Sequence, residues 1–180
     1  MDERASKGRW QIVVASSLAM AATNWCGAET AGTGTPARSM SIAVSGTGTD
    51  LQNGAIVHSK KATAHGAIQT STEIVELRGD LIGKVLYHVT SISDDAKGIL
   101  VNTGDQVFSG SVAGSEPVMI GDSKFRFEVN LKTGEESGDV FLQDHLAGPL
   151  IMCTLHVVGI GKDADGNPVF RYAGHCTFGS

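Results

Sequence analysis

The chain has 180 residues, enough for one domain of ordinary size, and its 41% hydrophobic content suffices for a single buried core. Charged residues make up only 18%, the net charge is −5, and beyond the first ten residues the basic side chains are scattered apart from Lys60-Lys61. The positive surface of a nucleic-acid-binding protein is therefore missing. Glycine is abundant and proline scarce, 23 against 4, and with frequent Thr, Ser and Val this favours strands and tight turns over helices.

Residues 1–28 read as a secretory signal peptide. Lys7, Arg9 and Trp10 precede the apolar run "QIVVASSLAMAA", and small-residue exits follow at Ala19-Met20-Ala21 and Cys26-Gly27-Ala28. The run is shorter than the about 20 residues of a membrane span, and Thr-Asn-Trp before Cys26 lacks the aliphatic and small residues of a lipoprotein signal, so no membrane partner is expected. Asp2 and Glu3 are unusual in a leader, and a short amphipathic helix packed on the domain is the alternative. Cleavage after Ala28 would remove Cys26 and leave an even pair of cysteines in a secreted or periplasmic protein, whereas cleavage after Ala21 would leave Cys26 near the new terminus. Residues 29–39 carry no periodicity and read as a linker, which places the domain proper at 40–180.

Along that domain "SIAVSGTG" is a first predicted strand. The stretch 54–70 shows no clear period and reads as a long connection with a weak strand. "TSTEIVELRG" and "GKVLYHVTSI" pair across "GDLIG", and "GILVNTGDQVFSGSVAG" reads as two strands around Thr103-Gly104-Asp105. "KFRFEVNL" alternates strictly, with Phe125, Phe127, Val129 and Leu131 on one face and Arg126, Glu128 and Asn130 on the other. After "KTGEESG" come "DVFLQD", then "LIMCTLHVVG" and "VFRYAGHCTF" around the turn "KDADGN". Many short strands without helical crossovers predict an all-β fold, a barrel or sandwich.

Cys153 and Cys176 lie in the last two predicted strands. Period-two alternation puts Cys153 with Ile151, Leu155 and Val157, and Cys176 with Phe170, Tyr172 and Phe178, both on apolar faces. An antiparallel register in which opposed residue numbers sum to 329 sets the two cysteines opposite each other and permits a disulfide. A sum of 331 sets Cys153 opposite Phe178 and leaves two buried thiols. No Cys-x-x-Cys or His pair supports zinc or a redox motif, and the six scattered histidines include no His-x-His or His-Glu-x-x-His, so neither metal nor cofactor is expected.

Polar groups inside the apolar strands are the candidates for chemistry. Tyr87 and Tyr172 are the only tyrosines, and a phenol in an apolar cavity can donate to a ligand carbonyl or a developing oxyanion; a core tyrosine with its hydroxyl at the rim is the plainer reading. Glu73 and Glu76 fall on opposite faces of one strand, Glu73 beside Val75 and Leu77, and Glu76 with Ile74 and Arg78. One of them points inward if the strand lines a cavity, where burial would raise its pKa toward general acid–base use; solvated carboxylates are the alternative. Phe125, Phe127, Phe170 and Phe178 on the apolar faces are candidate ligand contacts. Arg126, Glu128, Arg171 and His175 are assigned to solvent.

The segments "LRGDLIGKVLYHVTS" (77–91) and "GDSKFRFEVNLKTGEESGDVFLQD" (121–144), with the cysteine-containing last hairpin, resemble the allene oxide cyclase-like and dirigent-like β-barrel superfamily over about 130 residues. The resemblance implies a single antiparallel barrel of about eight strands, a pattern that calycin-type barrels share, whose interior holds one small ligand. It also implies catalysis without metal or cofactor and homo-oligomer contacts on the outer face. No motif carries the superfamily's catalytic residues onto positions here. Three functions follow as expectations: a cofactor-independent isomerase, cyclase or lyase acting on a small hydrophobic molecule, aromatic ones included; a non-catalytic carrier of a similar ligand; or a β module that oligomerises through its outer face.

Overall fold

The computed structural model describes residues 39–179, so the expected signal peptide and all but the end of the linker lie outside the described residues. Eleven strands follow in order: β1 (Met40–Asp50), β2 (Ile56–Thr63), β3 (Gly66–Gly79), β4 (Leu81–Asp94), β5 (Ile99–Val112), β6 (Val118–Asp122), β7 (Arg126–Asn130), β8 (Glu136–Leu142), β9 (Asp144–Ala147), β10 (Ile151–Lys162) and β11 (Pro168–Phe178). Eight of them close a ring, β1–β11–β10–β8–β7–β5–β4–β3 and back to β1, with every pair antiparallel. The fold is thus a closed antiparallel β-barrel. Closure removes the unpaired edges that an open sheet of this size would expose.

Three segments differ from the sequence reading. The stretch 54–70 contains the whole of β2, paired to the first half of β3 as a hairpin. All eight residues of β2 are exposed, so neither face carries a buried alternation for the eye to find; backbone bonds and the side-chain pairs His58–Thr72 and Ser59–Thr70, each 2.7 Å, hold it. Thr103-Gly104-Asp105 is no turn, because β5 runs unbroken through it. Gly104 marks instead where β5 changes partner, from β7 at residues 99–103 to β6 at 106–110, and a Cβ there would overlap the His88 carbonyl of β4. "VMIGD" and "DHLA" form the short pair β6–β9, too brief for periodicity to register.

The β3–β4 turn lies at the closed end of the barrel, where Leu81, Phe108, Val112, Ile120 and Ile151 are all wholly buried. Two side chains fasten this turn. The Asp80 carboxylate accepts from Ser45 N of β1 at 2.7 Å, and the Tyr172 hydroxyl accepts from Leu81 N at 2.8 Å while facing the Arg78 and Leu81 carbonyls at 3.2 and 3.3 Å. Nearby, Asp122 of β6 is buried and its carboxylate accepts from Gln106 Nε2 (2.9 Å) on β5 and from Phe141 N (2.8 Å) on β8. That carboxylate carries the sheet's bonding across the gap between β6 and β8.

The β10–β11 register sums to 329: Val157 opposes Tyr172, Leu155 opposes Gly174, and Cys153 opposes Cys176. A bulge between Gly159 and Gly161 shifts the count beyond that point, which is how the Asp163–Asn167 turn is accommodated. Cys153 and Cys176 are joined in a disulfide with their Cα atoms 4.1 Å apart, both buried in the core. Such a bond fits an oxidising compartment.

Two outcomes test this frame. Replacing both cysteines with alanine is expected to lower the unfolding free energy by about 3 kcal/mol, from the lost cross-link over 23 residues of sequence, as read by urea denaturation with circular dichroism. Tyr172→Phe strips the buried Leu81 amide of its acceptor and is expected to cost about 1–3 kcal/mol in the same assay. A neutral result would mean that the closed end does not depend on that hydroxyl.

Candidate functional site

Above the filled end, the barrel encloses a cavity of about 300 Å³, at the small end of ligand-site volumes. Alternation along each strand decides what it sees. The deeper part is walled by Leu77, Val85, Val140, Leu142, Leu155 and Val157. Farther from the β3–β4 turn the same faces turn polar: Glu73 succeeds Val75 on β3, Tyr87 succeeds Val85 on β4, and Asn102 and Leu100 lie beyond Gln106 on β5. Glu136 lies beyond Val140 on β8, and Asp50 ends β1.

The room exists because three aromatic rings lie across glycines of the neighbouring strand. Tyr172 directly opposes Gly46, Phe170 opposes Gly48, and Phe127 opposes Gly138. A Cβ on any of these glycines would collide with the facing ring. Each ring therefore occupies the space that the glycine leaves at the wall and does not fill the centre of the lumen.

The polar groups form one connected cluster. Tyr87 Oη donates to Glu73 Oε2 at 2.7 Å and stands 3.4 Å from Asp50 Oδ2. Ser71 Oγ, itself buried, donates to the other Glu73 oxygen, so both oxygens of that carboxylate accept. Gln52 Nε2 donates to Asp50 Oδ2 at 2.8 Å. The remaining Asp50 oxygen, Oδ1, and Asn102 Oδ1 are buried with no hydrogen-bond partner among the described residues.

Burial and, next, the charge of Glu73 push the Asp50 carboxyl up to about 7; the Tyr87 and Gln52 hydrogen bonds oppose the rise, and Glu136 adds to it. Glu136 is raised in the same direction, by burial and then by Glu73. Burial, with Asp50 and Glu73 close by, drives the Tyr87 phenol far above its ordinary value, so it stays a neutral donor. The site is thus an apolar cup with a carboxyl of raised pKa among the polar groups farther from the β3–β4 turn.

Of the residues singled out from sequence, Tyr87 and Glu73 meet in this cluster, and Glu73 is the inward-facing glutamate. Glu76 points outward and pairs with Arg78 at 3.2 Å. Tyr172 lines the cavity with its ring, but its hydroxyl is spent on the β3–β4 turn. Phe127 and Phe170 line the cavity. Phe125 is buried outside the lining, edge-on to Tyr87 with ring centres 6.0 Å apart, and Phe178 packs half-buried at the end of β11, also outside it. Leu131, grouped with the apolar face, is exposed past the end of β7, while Arg126, Glu128, Arg171 and His175 are exposed as expected.

Asp50 and Glu136 went unread because both lie just outside the predicted strands. Extending the first strand by two residues continues the inward series Val44, Gly46, Gly48 to Asp50. Starting β8 three residues earlier continues Leu142, Val140, Gly138 to Glu136. Glycine at the intervening positions erased the apolar alternation that would have drawn the extension.

No protein-family model, curated protein or solved structure matches this chain.

The raised Asp50 carboxyl has a measurable consequence. Between the unfolded value near 4 and the folded value near 7 the native state binds the extra proton, so stability should fall as pH rises through that window and level off above it. Asp50→Asn is expected to flatten this dependence and to be more stable than the parent at pH 8, as measured by urea unfolding at a series of pH values. An unchanged slope would place Asp50 in an ordinary solvated state.

Proposed function

We propose that this protein is an exported, cofactor-independent enzyme, an isomerase, cyclase or lyase, that moves a proton on a small hydrophobic molecule held inside the barrel. The observation that carries the reading is Asp50, a carboxyl poised near neutrality in a largely apolar cavity. A carrier needs only shape and a few hydrogen bonds. A group that exchanges its proton near pH 7 has the acid–base strength suited to catalysis.

The remaining parts have defined roles in this reading. Asp50 takes or gives the proton, and its unpartnered oxygen Oδ1 leaves it acceptor capacity. Tyr87, fixed by Glu73 and kept neutral, holds the polar wall in place beside it. The apolar floor and the rings of Phe127 and Phe170 orient the substrate, and orientation supplies much of the rate when no cofactor takes part. Export is supported by the disulfide and by the signal-like residues 1–28. Kinship with the allene oxide cyclase-like superfamily is supported by the closed eight-stranded barrel, although shared architecture does not by itself specify a reaction. Oligomer contacts, if formed as that kinship implies, would use the outer face of β4–β6, where Ile82, Leu86 and Met119 are exposed.

The test begins with native mass spectrometry of protein purified from its source, to identify a co-purifying small molecule. That molecule is then incubated with the protein in D2O. Deuterium incorporation or conversion by the parent, with a loss of about 100-fold or more in Asp50→Asn, is the expected result. Tight binding with neither labelling nor conversion would make the protein a carrier.

A further inference from the structure

We propose that the cavity takes a hydrophobic cation, a protonated amine on an apolar or aromatic body, with Glu73 and Glu136 as counter-ions and the apolar floor receiving the body. The inference deepens the ligand-site reading above and rests on it. Its ground is the inventory of charge and hydrogen-bond capacity around the cavity. Three carboxylates line it, those of Asp50, Glu73 and Glu136, and among the described residues no Lys, Arg or His does.

Apart from the Asn102 amide, the side-chain donors of the lining are engaged within the protein. Tyr87 O–H is turned to Glu73, Gln106 N–H to Asp122, and the Tyr172 hydroxyl to the β3–β4 turn. Most of the spare capacity is on the accepting side, where Asp50 Oδ1 and Asn102 Oδ1 have no partner among the described residues. A ligand that completes this wall brings N–H donors and positive charge. A carboxylate or phosphate ligand would bring a like charge into a poorly solvated space and leave the same acceptors unmatched.

Two further features fit an ammonium group. Phe127 and Phe170 present aromatic surface to the cavity, which attracts a cation that has lost part of its water. Glu136 also borders an outer depression that it shares with Glu128, Glu135 and Lys97, so acidic groups outnumber basic ones there and would draw a cation toward the barrel. Burial and then the charge of Glu73 raise both Asp50 and Glu136, a cost of crowding carboxylates that a bound cation offsets.

The test uses three probes of one shape and different charge: 4-phenylbutylamine, 4-phenylbutan-1-ol and 4-phenylbutyrate, titrated calorimetrically into the full chain at pH 8. The amine, still protonated there, is expected to bind about tenfold tighter than the alcohol, with the carboxylate weakest. Glu136→Gln is expected to narrow the gap between amine and alcohol about threefold, with an unchanged circular dichroism spectrum verifying that the variant is folded. Alcohol or carboxylate binding as tightly as the amine would overturn the cation assignment and leave the ligand site standing. If none of the three binds, the cation assignment falls together with the ligand site.

Discussion

Three aromatic rings set across three glycines determine whether this barrel has an interior. A ring of eight strands is just wide enough for inward side chains to fill it or for one small ligand to be held there. Here Gly46, Gly48 and Gly138 leave notches in the wall that Tyr172, Phe170 and Phe127 occupy from the neighbouring strand. Large side chains are thereby stored against the wall, their apolar area still buried, and the axis stays open. Strand interiors ordinarily lose stability with glycine, since it orders more chain entropy and packs nothing; a cross-strand aromatic neighbour offsets that loss.

The two ends of the barrel then diverge in character. Near the β3–β4 turn the interior is solid with wholly buried side chains, and the polar groups present, Asp80, Asp122 and the Tyr172 hydroxyl, are matched to backbone or side-chain donors and acceptors. The disulfide lies within this same core. Toward the other end polar side chains enter the interior with bonds left unmade. Dense packing and the polar cluster are in this way assigned to different levels of one set of strands, and the filled end holds the polar end in register.

Placing Asp50, Glu73 and Glu136 in one poorly solvated space costs stability, and the protein meets it in three ways. Ser71 and Tyr87 saturate Glu73 with hydrogen bonds, Asp50 keeps its proton to near neutrality, and Glu136 sits next to an outer depression that admits solvent. Such an arrangement gives no obvious structural benefit. A hydrophobic core residue at any of the three positions would pack without the electrostatic cost, which is the physical reason for assigning the cluster to function.

Much of the wall was legible in the residue pattern. Alternation put Glu73 and Glu76 on opposite faces, placed Phe127 and Phe170 on apolar faces, and narrowed the last hairpin to two registers. Period-two side chains on half-buried strands carry that information locally. What failed was local signal too weak to read: β2 has no buried face, β6 and β9 are only five and four residues long, and glycines interrupted the series leading to Asp50 and Glu136.

The sequence by itself determined an all-β chain, the orientation of each clearly alternating strand, and two cysteines within reach of each other. Only the tertiary structure decided that the ring closes, that residue numbers sum to 329 so that Cys153 meets Cys176, and that Asp50, Glu73, Tyr87 and Glu136 share one cavity. The reason is physical. Which face a side chain occupies depends on its own strand, whereas which side chains meet depends on strand order and register around the whole barrel.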